Sequence, residues 1–340
     1  MSFELILPFL RPIEPLLLDD SISEIMGNPD ASWWCERDGR MQPEPAVMFD
    51  ASKLLTGLEV IANQLGKKLD EDNPSLHVQL PDGSRLAAWI PPIVSPAPAL
   101  AIRKFTSRHY TIDDLIARGT LIQPVADLLA EQIRSGKTLL ISGGTGTGKT
   151  TLLRILADSI PGQERIVVIE DTPELHIRKP NIVAAGSQTN TFKTHVSFDD
   201  LLKDALRFRP DRIILGEVRG VEARTLLDSF NTGHGGSLAT IHANSAEKAL
   251  RRFANLVMRN HAQSTITDVE AEIAEAVDLV VHVERHPGCR RIREVLRIED
   301  YDRRLQAFQT SPLYQADTIS DSACNLTSYL PRKDSEYAVA

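Results

Sequence analysis

The sequence predicts an α/β protein in which a mostly parallel sheet follows a smaller α+β domain. From Thr111 onward, short apolar strands alternate with amphipathic helices, the pattern of a parallel sheet covered by helices. A glycine-rich stretch, GGTGTGKTT, lies between one such strand and one such helix. Before residue 105, strand-like runs meet at Asp-Gly pairs, which are typical of hairpins. We therefore expect two domains, and 340 residues are enough for two separate cores.

The smaller domain is predicted over residues 1–105. One hairpin is expected at the turn that Asp38 begins in SWWCERDGRM, and a second at Asp82 in LPDGSRLAAWI. Between them, SKLLTGLEVIANQLG has helical spacing and ends at Gly66. A proline-rich segment then stiffens the chain before a predicted hinge at residues 106–110.

The larger domain is predicted over residues 111–310, and residues 311–340 are predicted to form a loosely ordered tail. Its strands are expected at TLLIS, RIVVIE, RIILG, SLATIH, LVVHVE and RRIREVLRIE. Its helices are expected at KTTLLRILADSI, SFDDLLKDALRF, EARTLLDSFNTG and SAEKALRRFANLVM. Because ligands bind at the carboxyl ends of strands in such sheets, the residues that end each strand are the candidates for a site.

Composition excludes several classes of protein. The formal net charge is −8, which disfavours a protein that coats nucleic acid. The three cysteines form no C-x-x-C pair, which argues against a zinc site. No apolar run approaches the roughly 18 residues that span a bilayer. The apolar start has no basic segment and contains Pro8, Pro12 and Pro15, so we do not expect a signal peptide.

The glycine-rich stretch matches the phosphate-loop pattern G-x-x-x-x-G-K-[ST]. Its glycines let backbone N–H groups turn around phosphates at the start of a helix. We expect Lys149 to reach the β and γ phosphates and the Thr150 hydroxyl to hold Mg²⁺. A purely structural turn is the alternative, but the flanking strand and helix favour nucleotide binding. The predicted nucleotide-binding residues are Gly143, Gly144, Thr145, Gly146, Thr147, Gly148, Lys149, Thr150 and Thr151.

Two further strands end in carboxylates. In VVIEDTPEL, Glu170 is placed where it can orient or deprotonate an attacking water. The alternative is a capping or salt-bridging acid in a turn, a role that Asp171 or Glu174 fits equally well. In RPDRIILGEVRG, Gly216 stands where many ATPases have a Mg²⁺-binding aspartate, which leaves Glu217 as the carboxylate. Glu217 can hold the metal through water or polarise the nucleophile, and its strand also positions Arg219.

A histidine ends the next strand, in TGHGGSLATIHANS. His242 is expected beside the same edge of the sheet, where an imidazole can sense the γ-phosphate and couple it to the acids. A lone histidine is more often a satisfied core or loop residue. The position of His242 after two strands that end in acids favours the functional interpretation.

Four stretches of the sequence resemble, in order and spacing, the four boxes of the secretion traffic ATPases. They are GGTGTGKTT, VVIEDTPEL, RPDRIILGEVRG and TGHGGSLATIHANS. That family powers type II and type IV secretion, type IV pili and conjugation, and the resemblance covers residues 15–305. The compact length is most similar to the conjugal-transfer (TrbB-like) and type IV secretion branch. The tetracysteine zinc module of the type II and pilus-extension branch is absent. The tight-adherence pilus branch, whose boxes are nearly the same, remains an alternative.

The resemblance implies a RecA-like ATPase domain that uses ATP and Mg²⁺, works as a homo-hexameric ring, and binds nucleotide in a cleft between the two domains. GSRL and IRKF resemble the family's N-terminal arginine segments, which implies that Arg85 and Arg103 reach over the nucleotide. Thr150 and Glu217 are the predicted metal ligands. The predicted catalytic residues are Glu217, Glu170, His242, Arg85, Arg103 and Arg219.

The same resemblance implies inner-membrane secretion or pilus components as partners, and a cytoplasmic protein that can associate peripherally with the inner membrane. We expect no direct binding to nucleic acid. Two other classes stay open. A nucleic-acid motor with a RecA-like core is disfavoured by the acidic balance. A nucleotide-gated scaffold without turnover is disfavoured by Glu170, Glu217 and His242.

Overall fold

The computed structural model describes residues 6–105, 110–171, 174–186, 196–259, 264–286 and 289–316. The chain divides into two compact units, Met1–His109 and Tyr110–Ala340. Each unit has its own sheet, and the first unit has one buried apolar cluster whereas the second has two. Residues 106–109 of the predicted hinge lie outside the described residues.

The first unit contains a six-stranded antiparallel sheet with strand order β3-β2-β1-β6-β5-β4. Its strands are β1 Ile22–Gly27, β2 Trp33–Arg37, β3 Arg40–Pro43, β4 Ser75–Gln79, β5 Arg85–Trp89 and β6 Ala99–Arg103. Its described helices are α1 Glu14–Leu18, α2 Ala51–Gln64 and two short 3-10 helices, Leu7–Phe9 and Arg11–Ile13.

Local sequence explains both the hairpins and the helix of this unit. Asp38 and Gly39 both have positive φ, 48° and 78°, the backbone that a tight turn between twisted strands requires. Helix α2 begins after Asp50, whose side chain accepts two backbone N–H groups of the first turn. Leu58 and Ile61 of α2 are fully buried in the apolar cluster of the unit. The predicted hairpins and helix are confirmed.

The second unit contains an eight-stranded sheet with order β14-β13-β12-β7-β11-β10-β8-β9. The strands from β12 to β9 in this order are parallel, whereas β13 and β14 are antiparallel additions at one edge. The strands are β7 Leu139–Gly143, β8 Ile166–Glu170, β9 Ile182–Gly186, β10 Arg212–Val218, β11 Leu238–His242, β12 Leu279–His286, β13 Cys289–Asp302 and β14 Ala307–Gln315. The predicted mostly parallel α/β sheet is confirmed.

Helices cover both faces of this sheet. They are α3 Ile112–Ala117, α4 Gln123–Arg134, α5 Lys149–Ala157, α6 Phe198–Ala205, α7 Glu222–Asn231, α8 Ala246–Met258 and α9 Ile266–Ala276. Leu139 and Ile141 of β7 belong to one apolar cluster, with α4 and α5, while Leu140 belongs to the other, with α7 and α8. A strand buried on both faces is mostly apolar, which explains the apolar run of residues 139–141 at the start of β7. No helix in the described ranges combines the length and apolarity needed to cross a bilayer.

Strand β10 does not end at Gly216 as its apolar run predicts. The strand continues to Val218, and its pairing with β11 is irregular between Leu215 and Val218. The irregularity places Glu217 within the strand but outside the regular ladder. The bulge exists only in the pairing of β10 with β11, so it cannot be predicted from the sequence of β10 alone.

The predicted tail begins too early. Strand β14 includes residues 311–315, and Tyr314 of this strand is buried opposite Val295 of β13. The polar residues and Pro312 in β14 hide the strand from a periodicity search, while pairing with the long strand β13 stabilises it. Residues 317–340 lie outside the described residues.

Candidate nucleotide-binding and hydrolysis site

The glycine-rich loop joins β7 to α5, as the sequence predicts. Gly146 and Gly148 have φ values of 69° and 91°, a backbone region that side chains with a β-carbon rarely adopt. The carbonyl oxygen of Gly144 accepts hydrogen bonds from Lys149 Nζ at 2.7 Å and from Thr147 Oγ1 at 3.0 Å. Lys149 is therefore held over the loop, at the N-terminus of a helix that attracts anions.

Lys149 is connected to Glu217 through His242. Lys149 Nζ lies 3.3 Å from Nδ1 of His242, and Nε2 of the same ring lies 3.2 Å from Oε1 of Glu217. These three residues start a helix, end one strand and lie in the bulge of the next strand. The parallel order of β7, β11 and β10 therefore brings the predicted lysine, histidine and glutamate together.

The charge state of His242 follows from its surroundings. Burial lowers the pKa of His242, the positive charge of Lys149 lowers the pKa further, and Glu217 opposes both effects. The ring is therefore neutral at pH 7 and carries one N–H. An ammonium group can only donate, so Nδ1 accepts from Lys149 and Nε2–H donates to Glu217.

Arg219 holds the second oxygen of Glu217. Its Nε lies 3.3 Å from Glu217 Oε2, and its Nη1 lies 3.5 Å from Oδ2 of Asp171. Arg219 is about half exposed, at 49% of its side chain, so it is accessible to a ligand. Asp171 thus forms an ion pair at the site, the salt-bridging role that the sequence analysis named for it as an alternative to a catalytic acid.

Glu170 has a different environment from Glu217. Its side chain is buried, and Oε1 accepts the backbone N–H groups of Glu174 at 3.0 Å and Leu175 at 2.9 Å. These bonds tie the backbone at Glu174 and Leu175 to the end of β8. Of the two alternatives that the sequence left open, turn capping is the one that this oxygen performs, whereas Glu217 is the carboxylate beside His242 and Lys149.

Gly216 provides the space that Glu170 occupies. A β-carbon on Gly216 would lie 3.3 Å from Cγ of Glu170 and 3.5 Å from the carbonyl oxygen of Ile169. Contacts at 3.3 Å are tighter than most side chains tolerate, so the absence of a side chain at Gly216 permits the close packing of β8 and β10.

The metal ligands that the sequence predicts are Thr150 and Glu217. Within the described ranges, no group of three or more His, Cys, Asp or Glu residues could hold a metal ion. Mg²⁺ bound with ATP needs only one or two protein oxygens, because phosphates and water supply the rest. Thr150, in the first turn of α5, and Glu217, in β10, each carry a side-chain oxygen of this kind.

Arg85 and Arg103 lie in the first unit. Arg85 begins β5, Arg103 ends β6, and the two residues are opposite each other in the antiparallel register. Neighbouring strands therefore place both guanidinium groups at the same end of the sheet.

The fold and the loop define the class of this protein. A parallel sheet whose strand leads through a glycine-rich loop into a helix, with acids at the ends of adjacent strands, is the arrangement of the P-loop nucleoside triphosphatases. Residues 10–333 match the family model described as type II/IV secretion system protein. The chain belongs to the type II/IV secretion system protein family.

Individual relatives agree with this assignment. The chain is 38% identical to the conjugal transfer protein TrbB of Rhizobium radiobacter, over 90% of this chain and 92% of that protein. It is 30% identical to the type IV secretion system protein VirB11 of Bartonella quintana, over 86% of this chain and 92% of the relative. The X-ray structure of the Legionella pneumophila ATPase DotB has a similar fold, with a TM-score of 0.60 at 19% identity over 83% of this chain and 78% of the DotB chain.

Proposed function

We propose that this protein hydrolyses ATP and that hydrolysis powers a type IV secretion or conjugative transfer apparatus. The observation that carries the proposal is the unbroken series of contacts from Lys149 through His242, Glu217 and Arg219 to Asp171. This series of contacts runs along the edge of the sheet at which β7 ends and the phosphate loop begins. Membership of the type II/IV secretion family supports the transport role.

Each residue of the series has a defined task in this proposal. The loop N–H groups and Lys149 bind the phosphates, and Lys149 exchanges the Gly144 carbonyl for phosphate oxygens. Glu217 orients the attacking water and accepts its proton. His242 and Arg219 each hold one oxygen of Glu217, so that the carboxylate keeps a single orientation.

ATP and Mg²⁺ are the proposed ligands. Thr150 and Glu217 would hold the ion, and when bound it neutralises charge on the phosphates. Arg85 and Arg103 are proposed to supply positive charge to the γ-phosphate as it is transferred. Glu170 is proposed to support the site by fixing the turn after β8.

The working unit is proposed to be a homo-hexameric ring at the cytoplasmic face of the inner membrane, acting on membrane-embedded secretion components. TrbB and VirB11 relatives support the conjugative or type IV secretion branch. Assembly of a tight-adherence or type IV pilus is the alternative assignment, which the same catalytic site would serve equally well.

Two experiments test the proposal, one on the purified protein and one in the cell. Purified full-length protein should release phosphate from ATP in the presence of Mg²⁺, without stimulation by duplex DNA or RNA, and should have the mass of six chains by light scattering. Binding of ATP without turnover would identify a nucleotide-gated scaffold, and strong stimulation by nucleic acid would identify a nucleic-acid motor.

The experiment in the cell identifies the apparatus. A tagged chain is crosslinked in its own cell, and the inner-membrane proteins bound to it are identified by mass spectrometry. Capture of conjugative or type IV secretion components supports the proposal. Capture of pilus-assembly components alone would overturn the assignment of the apparatus and leave the ATPase assignment intact.

A further inference from the structure

The phosphate loop has two different neighbours in the sheet. On one side β11 pairs with β7 and places His242 opposite Gly143, at the start of the loop. On the other side β12 pairs with β7 and places Val283 opposite the same glycine. Strand β12 continues to His286, three residues beyond this pair, and then returns as β13. The described tip of the β12–β13 hairpin therefore runs beside the loop, on the side away from Glu217.

This hairpin approaches the loop at three glycines. A β-carbon on Gly143 would collide with the carbonyl oxygen of Val283. A β-carbon on Gly146 would lie 2.9 Å from Nη1 of Arg285, and one on Gly148 would lie 3.3 Å from Cδ of Arg290. The glycines thus serve a second purpose besides their backbone angles, because they allow two arginines to approach the loop.

Arg290 also makes a directional contact with the loop. Its Nε donates a hydrogen bond of 3.0 Å to the carbonyl oxygen of Gly146. In a planar trans peptide the C=O and the following N–H point in opposite directions. Because Arg290 holds the Gly146 carbonyl towards the hairpin, the N–H of Thr147 is directed away from the hairpin.

The two arginines are also opposite each other in the hairpin register. Like charges on directly opposed residues of an antiparallel pair repel each other. The phosphates of a bound nucleotide bring negative charge to the adjacent loop and offset this repulsion. Charge and geometry therefore both indicate that this end of the hairpin favours the nucleotide-bound loop.

We propose that Arg290 is a positioning residue of the phosphate loop, which sets nucleotide affinity by orienting the Gly146–Thr147 peptide, and that Arg285 adds to the affinity through its charge. This inference rests on the proposed nucleotide-binding function. The β12–β13 hairpin would thus contribute to nucleotide binding, whereas β10 and β11 would contribute to hydrolysis.

The test uses the full chain and fluorescent mant-ADP. Arg290→Gln should raise the Kd for mant-ADP about tenfold, the scale of one hydrogen bond that involves a charged group. Its KM for ATP should rise in parallel, while kcat at saturating ATP stays within about threefold, since affinity rather than chemistry is changed. Arg285→Gln should raise the Kd about threefold, as expected for one exposed charge. Arg297→Gln is the matched control, because Arg297 is on β13 opposite Leu279, at the far end of β12.

Conservative replacement separates the bond from the charge. Arg290→Lys keeps the charge but places a methylene where Nε donates, so it should recover less than half of the lost binding free energy. Full recovery would overturn the positioning role, as would an unchanged Kd in Arg290→Gln or an equal effect in Arg297→Gln. Unfolding midpoints measured without nucleotide establish that each variant is folded. If Arg290→Gln does not fold, the Kd of Arg285→Gln for mant-ADP tests the part of the hairpin in binding. Failure of the wild-type chain to bind mant-ADP would instead refute the proposed function.

Discussion

Nε2 of His242 lies 3.2 Å from Oε1 of Glu217, while Nδ1 of the same ring lies 3.3 Å from Nζ of Lys149. One neutral imidazole thereby connects the lysine proposed to bind phosphate with the carboxylate proposed to act on water. Movement of Lys149 onto a γ-phosphate would remove the donor at Nδ1 and change the hold of His242 on Glu217. Under the proposed function, this connection would let a bound nucleotide influence Glu217.

Replacement of Glu217 by Gln should lower turnover by about 10²-fold or more, the scale of a positioned base. Nucleotide affinity should stay near that of the wild type, because the loop and Lys149 are unchanged. Phosphate release and mant-ADP titration measure the two properties. Near-normal turnover in Glu217→Gln would reduce the residue to a structural role.

Replacement of Glu170 separates support of the turn from chemistry. Glu170→Gln keeps an oxygen for the N–H groups of Glu174 and Leu175, so turnover per folded molecule should stay within about threefold of the wild type. Glu170→Ala removes the acceptor and should lower the free energy of unfolding by about 1–3 kcal/mol. Denaturant titration and phosphate release decide between the roles. A loss of about 10²-fold in Glu170→Gln would instead make Glu170 a second catalytic acid.

Replacement of Lys149 by Ala should abolish the thermal stabilisation that ATP gives, because the variant lacks the ammonium group that reaches the phosphates. Lys203→Ala is the control, since Lys203 is an exposed lysine on helix α6. Differential scanning fluorimetry with and without ATP compares the two. The phosphate assignment is wrong if the shift in Lys149→Ala equals that of the wild type.

Both the free energy of unfolding and the rate of turnover should depend on pH through His242. Burial and Lys149 hold the pKa of His242 in the folded chain below its ordinary value of 6.5. The unfolded chain therefore binds more protons near pH 6, so the stabilisation is complete above pH 6.5 and is lost as the pH falls towards the folded pKa.

The variant His242→Gln isolates this effect, because burial also lowers the pKa of His282. Between pH 7 and pH 5.5 the wild type should lose more free energy of unfolding than His242→Gln does. Denaturant titrations at several pH values measure the difference. Parallel curves for the two proteins would contradict the assigned charge state of His242.

Arg85→Ala and Arg103→Ala should each lower turnover per folded molecule, by up to about 10³-fold if they stabilise charge in the transition state. Arg40→Ala, on the exposed strand β3 of the same sheet, is the control. If the arginines only stabilise the sheet, the variants will unfold at lower denaturant concentration and keep a normal rate per folded molecule. Turnover normalised to folded protein distinguishes these outcomes.

Local patterns were sufficient to predict the loop and the strands that lead to it. The alternation of apolar strands and helices, and the spacing from Gly143 to Thr151, depend on neighbouring residues only. The parallel order of the strands then brought Lys149, Glu217 and His242 together, as the sequence predicted.

Features that depend on distant residues were not predictable in the same way. The capping of the turn by Glu170 requires the backbone of Leu175, and the bulge at Glu217 requires the register with β11. The contact of Arg290 with Gly146 joins residues 144 positions apart. Strand β14 depends on pairing with β13 rather than on its own periodicity.

The packing of Glu170 against Gly216 constrains how this chain can evolve. Many ATPases have an aspartate where this chain has Gly216, yet here a β-carbon at that position would press on the Glu170 side chain at 3.3 Å. An added carboxylate would also lie beside the carboxyl group of Glu170. A side chain at Gly216 therefore requires the Glu170 side chain to shift by a few tenths of an ångström or to become smaller. The two positions are thus coupled, and the effect of a substitution at one is expected to depend on the residue at the other.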